Sequence, residues 1–174
     1  MDVIEKVIID RPCPALRISH EYTKQETVYG IVKRVHFFLK HIEKERHRKK
    51  LGVKEMKILD VGCGTGIHVT IPLAQAGYAV CGFDMSAPSI EYGRKFAAAS
   101  GITNIAFYDS FELLRQEGHF HAIICSEVLE HLQEPHILLC KMHELLEDDG
   151  ILLITVPNGY GYFELESIVW SRFP

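Results

Sequence analysis

Three acids and one glycine-rich turn carry the chemistry of this chain. The segment Asp60-Val-Gly62-Cys63-Gly64-Thr-Gly66 follows an apolar run, and Asp84 and Asp109-Ser110 close two more. Glycines let a backbone turn tightly and approach a ligand with no side chain between them. A carboxylate such as Asp84, 18 residues past Gly66, can accept two hydrogen bonds from a ribose diol. Asp109-Ser110 is placed to reach an adenine amino group. A line of acids repels phosphate and favours a cationic ligand with a free ribose. A second constellation, Glu127-Val-Leu-Glu130-His131, follows a fourth apolar run. On one helical turn its two carboxylates and imidazole would lie on adjacent faces. There they could hold a divalent metal, or Glu127 and His131 could take a proton from an acceptor. Neither nucleotide-loop pattern fits. A GxGxxG fingerprint needs glycine where Ile67 stands, and GxxxxGK[ST] is absent.

These residues need elements to hold them. Apolar runs over 56–62, 78–84, 104–109, 119–126 and 151–157 read as strands. Helices are expected over about 66–77, from the Ser86 cap to about 100, and over about 134–146. From about 24 to 50, Ile31, Val32, Val35, Phe38, Leu39 and Ile42 recur at spacings of three and four, the stripe of a half-buried helix. Strands alternating with helices indicate right-handed βαβ units. Strands without polar alternation fit a sheet covered on both faces. The expected fold class is therefore α/β, a Rossmann-like, doubly wound, mostly parallel sheet. Ligands in such sheets sit outside the C-terminal strand ends, where the acids fall.

ILDVGCGTG, CGFDMS, FHAIICSEVLEHL and LLEDDGILLITVPN, in that order, resemble the successive motifs of class I S-adenosylmethionine (SAM)-dependent methyltransferases over about residues 56–160. The resemblance implies SAM as cofactor and S-adenosylhomocysteine (SAH) as product. It implies Asp60, Gly62, Cys63, Gly64 and Gly66 around the methionine part, Asp84 on the ribose and Met85 beside the adenine. It also implies Asp109 and Ser110 near the adenine ring and Ser126 facing the transferred methyl. The ExxEH segment is similar to that of ubiquinone-pathway O-methyltransferases and of small-RNA 2′-O-methyltransferases, which are metal-assisted. A metal on Glu127, Glu130 and His131 is not favoured, because similar segments occur in relatives with no implied metal. Val156-Pro157-Asn158-Gly159-Tyr160 resembles a stretch in saccharide and lipid-precursor methyltransferases, which makes Asn158 and Tyr160 candidate substrate contacts. The reading is methyl transfer to an O or N atom of a small molecule. Alternatives are a metal-assisted RNA or polyphenol O-methyltransferase, a non-catalytic SAM-binding module and an NAD-dependent Rossmann enzyme.

Composition is that of an ordinary globular domain: 174 residues, 47% hydrophobic, 24% charged, net charge -4. No apolar run reaches the ~20 residues of a membrane helix, and the five cysteines form no CxxC pair. Reduced thiols in a cytoplasmic protein follow, with Cys63, Cys81, Cys125 and Cys140 as small core residues. Residues 33–50 hold eight Lys/Arg against two Glu, a cluster read as a solvated helix end rather than a nucleic-acid surface. The expected organisation is an N-terminal arm (1–22), a helical segment over the cofactor cleft (23–52) and a SAM-binding core (53–174). The family sheet has seven strands and five are visible. The core is therefore expected to lack its last two strands, and a homodimer could cover the open edge.

Overall fold

In a computed structural model, the described residues are 26–157, with side chains described from 31 onward. The expected arm, Asn158 and Tyr160 lie outside them. Helix α1 (Glu26–Lys49) leads through a 3-10 turn into β1 (Lys57–Val61). Then come α2 (Thr70–Gln75), β2 (Ala79–Phe83), α3 (Ala87–Ala99), β3 (Ile105–Tyr108), α4 (Phe111–Arg115), β4 (Phe120–Ser126), α5 (Pro135–Leu145) and β5 (Leu146–Thr155). The strands form one sheet in the order β3-β2-β1-β4-β5, and every pair is parallel. Chain order reverses between β1 and β4, which makes that point the topological switch.

Alternation along each strand divides the core. Ile58, Val80, Ala122, Ile124 and Leu153 pack with Val35, Phe38 and Ile42 of α1. Leu59, Val61, Cys81, Phe83, Ile123 and Cys125 face the other way, onto Leu114 of α4 and Met142 and Leu145 of α5. Phe38 and Ile42 are fully buried, and each such side chain contributes roughly 1.5–3 kcal/mol. Helix α1 runs against the strand direction. Its Arg34 reaches Ser126 at the end of β4, while Arg48 and Lys49 reach the start of β5.

That contact corrects the reading of the basic cluster. Arg48 pairs with Asp149 at 3.1 Å, and Lys49 pairs with Glu147 at 3.0 Å and also with Asp149. Residues 147–149 form a bulge within β5, where the β4–β5 register jumps from Phe120↔Leu146 to Ala122↔Ile151. The bulge starts β5 earlier than the apolar run suggested and gives the helix end an acidic partner.

Three further expectations change. Residues 66–69 are turns, not helix, because Ile71 N–H donates to Gly66 O (2.8 Å) and Val69 is non-helical. The five-residue helix α4 was not expected; Ser110 caps it by accepting from Glu112 N–H. Cys140 is exposed on α5 rather than in the core. Cys81 and Cys125 are buried, and burial pushes their thiols up to about 11 and about 12, which makes them inert packing groups. Among the described residues, no helix is long and apolar enough to cross a membrane.

Candidate functional site

A cavity of about 580 Å³ opens at the C-terminal ends of β1, β2, β3 and β4. Gly62, Asp84, Met85, Asp109 and Ser110 line it, so five of the expected cofactor residues share one cleft. Phe111, Val128, Leu132, Ile137 and Leu138 form its apolar side, and Lys141 lies on the same wall with its ammonium over the Phe111 ring.

The glycine turn is built tightly. Gly62 N–H and Cys63 N–H both donate to Phe83 O, at 2.7 and 3.0 Å, and Gly66 N–H donates to Cys63 O at 2.9 Å. Gly62 has φ +75° and Gly66 φ +76°, a region that other residues enter at a cost. At Gly62 an added Cβ would overlap Val128 Cγ2, so the backbone there lies directly against the loop after β4.

Asp84 fixes the turn from the next strand. Its Oδ2 accepts from Gly64 N–H (2.7 Å) and its Oδ1 from Ser86 N–H (2.8 Å). Asp84 lines the cavity, and each of its oxygens can accept a further hydrogen bond from a ligand hydroxyl. Asp109 stands at the end of β3 on the cavity wall. Ser110 is also on the wall, but its hydroxyl is engaged with Glu112 as the α4 cap. Met85 is 86% exposed and forms an unshielded apolar lip.

Asp60 sits beneath the turn rather than in the cavity. It is 3% exposed, and its Oδ2 accepts from the Thr70 hydroxyl at 2.6 Å. Burial raises its carboxyl to about 6, against the lowering effect of Thr70, with Asp84 adding a further small rise. Because the folded value lies above the unfolded one, the stabilising contribution is complete below about 4 and is lost as pH rises through about 6. Asp60→Asn removes that dependence. The stability of the wild type relative to Asp60→Asn is therefore expected to fall by roughly 2 kcal/mol between pH 4 and 7. Urea unfolding across that range checks this, and a pH-independent difference would contradict it. Cys63, also expected at the cofactor, turns its sulfur onto Gly82 and donates weakly to Gly64 O.

The ExxEH segment does not form the expected helical turn. Glu127 directly follows β4 with φ +55°, and its N–H donates to Thr155 O at 2.9 Å. Only Leu129–His131 then form a 3-10 turn. The left-handed residue takes Glu127 out of phase with the other two. Glu130 and His131 approach only to 3.9 Å, with His131 76% exposed. Among the described residues, no three His, Cys, Asp or Glu are grouped to hold a metal.

Ser126 Oγ sits 2.9 Å from Thr155 Oγ1 and accepts from Arg34 Nη1 at 3.4 Å. Arg34, half-buried on α1, is a cation that reaches the end of β4, and sequence reasoning missed it. It lies one residue before Val35 of the apolar stripe, so its place at the edge of the buried face was legible, but its partner 92 positions away was not. Thr70 and Phe111 were also missed. Phe111 packs on Phe83 with the rings tilted at 49° and their centroids 4.2 Å apart.

A family model described as a methyltransferase domain matches residues 24–171. Among curated proteins, the ubiquinone biosynthesis O-methyltransferase of Rickettsia felis is 27% identical over 143 residues, covering 82% of this chain and 58% of that protein. The enzyme of the same description from Haemophilus ducreyi is 34% identical over 116 residues, 63% of this chain and 49% of that one. The chain thus spans about half the length of these relatives. Among solved structures, PKMT2 from Rickettsia typhi in complex with AdoHcy is similar with a TM-score of 0.52 at 26% identity, over 58% of this chain and 20% of that one. The family match runs through every described element from α1 to β5, and the chain belongs to the methyltransferase-domain family.

Proposed function

We propose that this chain binds S-adenosylmethionine and transfers its methyl group to an oxygen or nitrogen of a small-molecule acceptor. The observation that carries the reading is Asp84, held by Gly64 and Ser86 and lining one cavity with Gly62 of the glycine turn. A cavity of about 580 Å³ with carboxylates at 84 and 109 and an apolar wall suits a cationic adenosine conjugate. The AdoHcy complex of the Rickettsia typhi relative supports the same ligand class.

When bound, the cofactor supplies the electrophile, a methyl carbon on a positively charged sulfur. The chain's own residues bind, orient and desolvate. Asp84 takes the ribose hydroxyls, Asp109 the adenine edge, and Met85 and Val128 the ring faces. The glycine turn admits the methionine part against the backbone. Arg34 pairs with the ligand's carboxylate from the α1 side, beside Ser126. Glu127 and His131, on the segment after β4, border the acceptor, and His131 takes the proton that the acceptor loses as the new bond forms. Asn158 and Tyr160 are assigned to acceptor binding.

The test is transfer of radiolabelled methyl from SAM to a panel of phenols, amines and saccharides. Arg34→Ala is expected to weaken SAH binding about tenfold, as for a lost charge-assisted pair. His131→Ala is expected to leave that binding intact and slow transfer by roughly 100-fold. Equal affinity in the first variant or equal rate in the second would remove that residue from its role. Absence of transfer to every acceptor, with SAH binding retained, would reduce the chain to a SAM-binding module.

A further inference from the structure

Three glycines from three different elements converge on one aromatic ring. Phe107 of β3 is 4% exposed. A Cβ on Gly66 of the turn would lie 2.6 Å from its Cε1. A Cβ on Gly82 of β2 would lie 2.9 Å from its Cδ1, and one on Gly93 of α3 3.0 Å from its Cε1. The ring therefore sits directly against bare backbone on the loop, the sheet and the helix. Gly93 has a second close neighbour: its Cβ would come 2.9 Å from the carbonyl oxygen of Thr65, inside the glycine turn. Arg94, the next residue, donates to Phe107 O at 2.7 Å and ties the same helix to the same strand residue.

Gly93 is buried in the middle of α3 and does not have positive φ. Its conformation suits alanine, which ordinarily strengthens a helix interior relative to glycine. The helix carries a weak helix former here because the neighbours leave no room, and one of them is loop backbone that cannot swing aside. We propose that Gly93 and Phe107 are positioning residues that set the height of the Gly62–Gly66 turn over the cleft, and so the affinity for the cofactor. The link to affinity rests on the cofactor reading above; the link to loop position does not.

The experiment uses the whole chain as wild type, Gly93→Ala, Phe107→Val and the double variant. SAH affinity, thermal midpoint, the split of KM for SAM against kcat, and amide exchange over residues 62–66 without ligand are measured. Gly93→Ala is expected to lower the midpoint, against helix propensity. It should also speed exchange in the turn and raise Kd and KM at least fivefold while kcat stays within twofold. Removing most of the ring returns space, so the double variant is expected to bind more tightly than Gly93→Ala alone. If Gly93→Ala does not fold, Phe107→Val carries the test through faster turn exchange and weaker SAH binding. Unchanged turn exchange and unchanged SAH affinity in both single variants, or strictly additive losses in the double, would overturn the proposal. Wild-type protein that binds no SAH while the variants loosen the turn would overturn the cofactor reading and leave the positioning role standing.

Discussion

Asp84→Ala is expected to lower affinity for S-adenosylhomocysteine by roughly 100-fold or more, about 3 kcal/mol. Two losses combine. The ribose loses a carboxylate that could accept from both hydroxyls, and hydrogen bonds to charged groups contribute ~1.5–3 kcal/mol each. The turn also loses the acceptor that holds Gly64 N–H at 2.7 Å. Asp84→Asn separates the two contributions, because an amide oxygen can still accept from one backbone N–H. It is expected to keep the fold and recover part of the affinity. Titration calorimetry with both variants checks this, and an Asp84→Ala protein that binds within threefold of wild type would place the ribose elsewhere.

Gly62→Ala is expected to destabilise the fold by roughly 2–5 kcal/mol. Forcing alanine to φ +75° costs about 1–2 kcal/mol, and overlap with Val128 adds about 1–3 kcal/mol of overpacking. Gly64→Ala supplies the contrast within the same loop. It also has positive φ, but an added Cβ there meets nothing within 4 Å. Only the conformational cost applies, and its loss is expected to stay near 1–2 kcal/mol. Adding Val128→Ala to Gly62→Ala restores space but not backbone freedom, and should recover only part of the loss. Urea denaturation of the four proteins measures each step, and equal losses at positions 62 and 64 would show that Val128 does not constrain the turn.

The parallel α/β sheet was legible because its central strands β1, β2 and β4 are buried on both faces and read as unbroken apolar runs. Acids and glycines placed after those runs fell at the C-terminal strand ends by topology alone, so Asp84, Asp109 and Gly62 could be grouped in advance. Asp60 shares the motif but faces α2 rather than the cleft, where Thr70 holds it. Strand alternation predicts the face; the hydroxyl ten residues on had no reason to stand out.

What stayed hidden depended on long-range pairing or local exceptions to periodicity. The pairing of Arg48 and Lys49 with Asp149 and Glu147 spans about 100 residues, and composition shows only a basic end. Helix α4 is five residues long, too short for a periodic stripe. Glu127 in the left-handed region broke the helical turn that the spacing of Glu127, Glu130 and His131 had suggested. The fit of three glycines around Phe107 is a property of packing, and glycines scattered over the loop, β2 and α3 do not announce a common neighbour.

The most direct test of the cofactor assignment is calorimetric titration of the folded wild-type chain with S-adenosylhomocysteine, followed by NADH in competition. Binding of one SAH per chain, undisturbed by NADH and weakened roughly 100-fold or more by Asp84→Ala, is the expected result. A folded chain that binds no SAH and takes up NADH would contradict it.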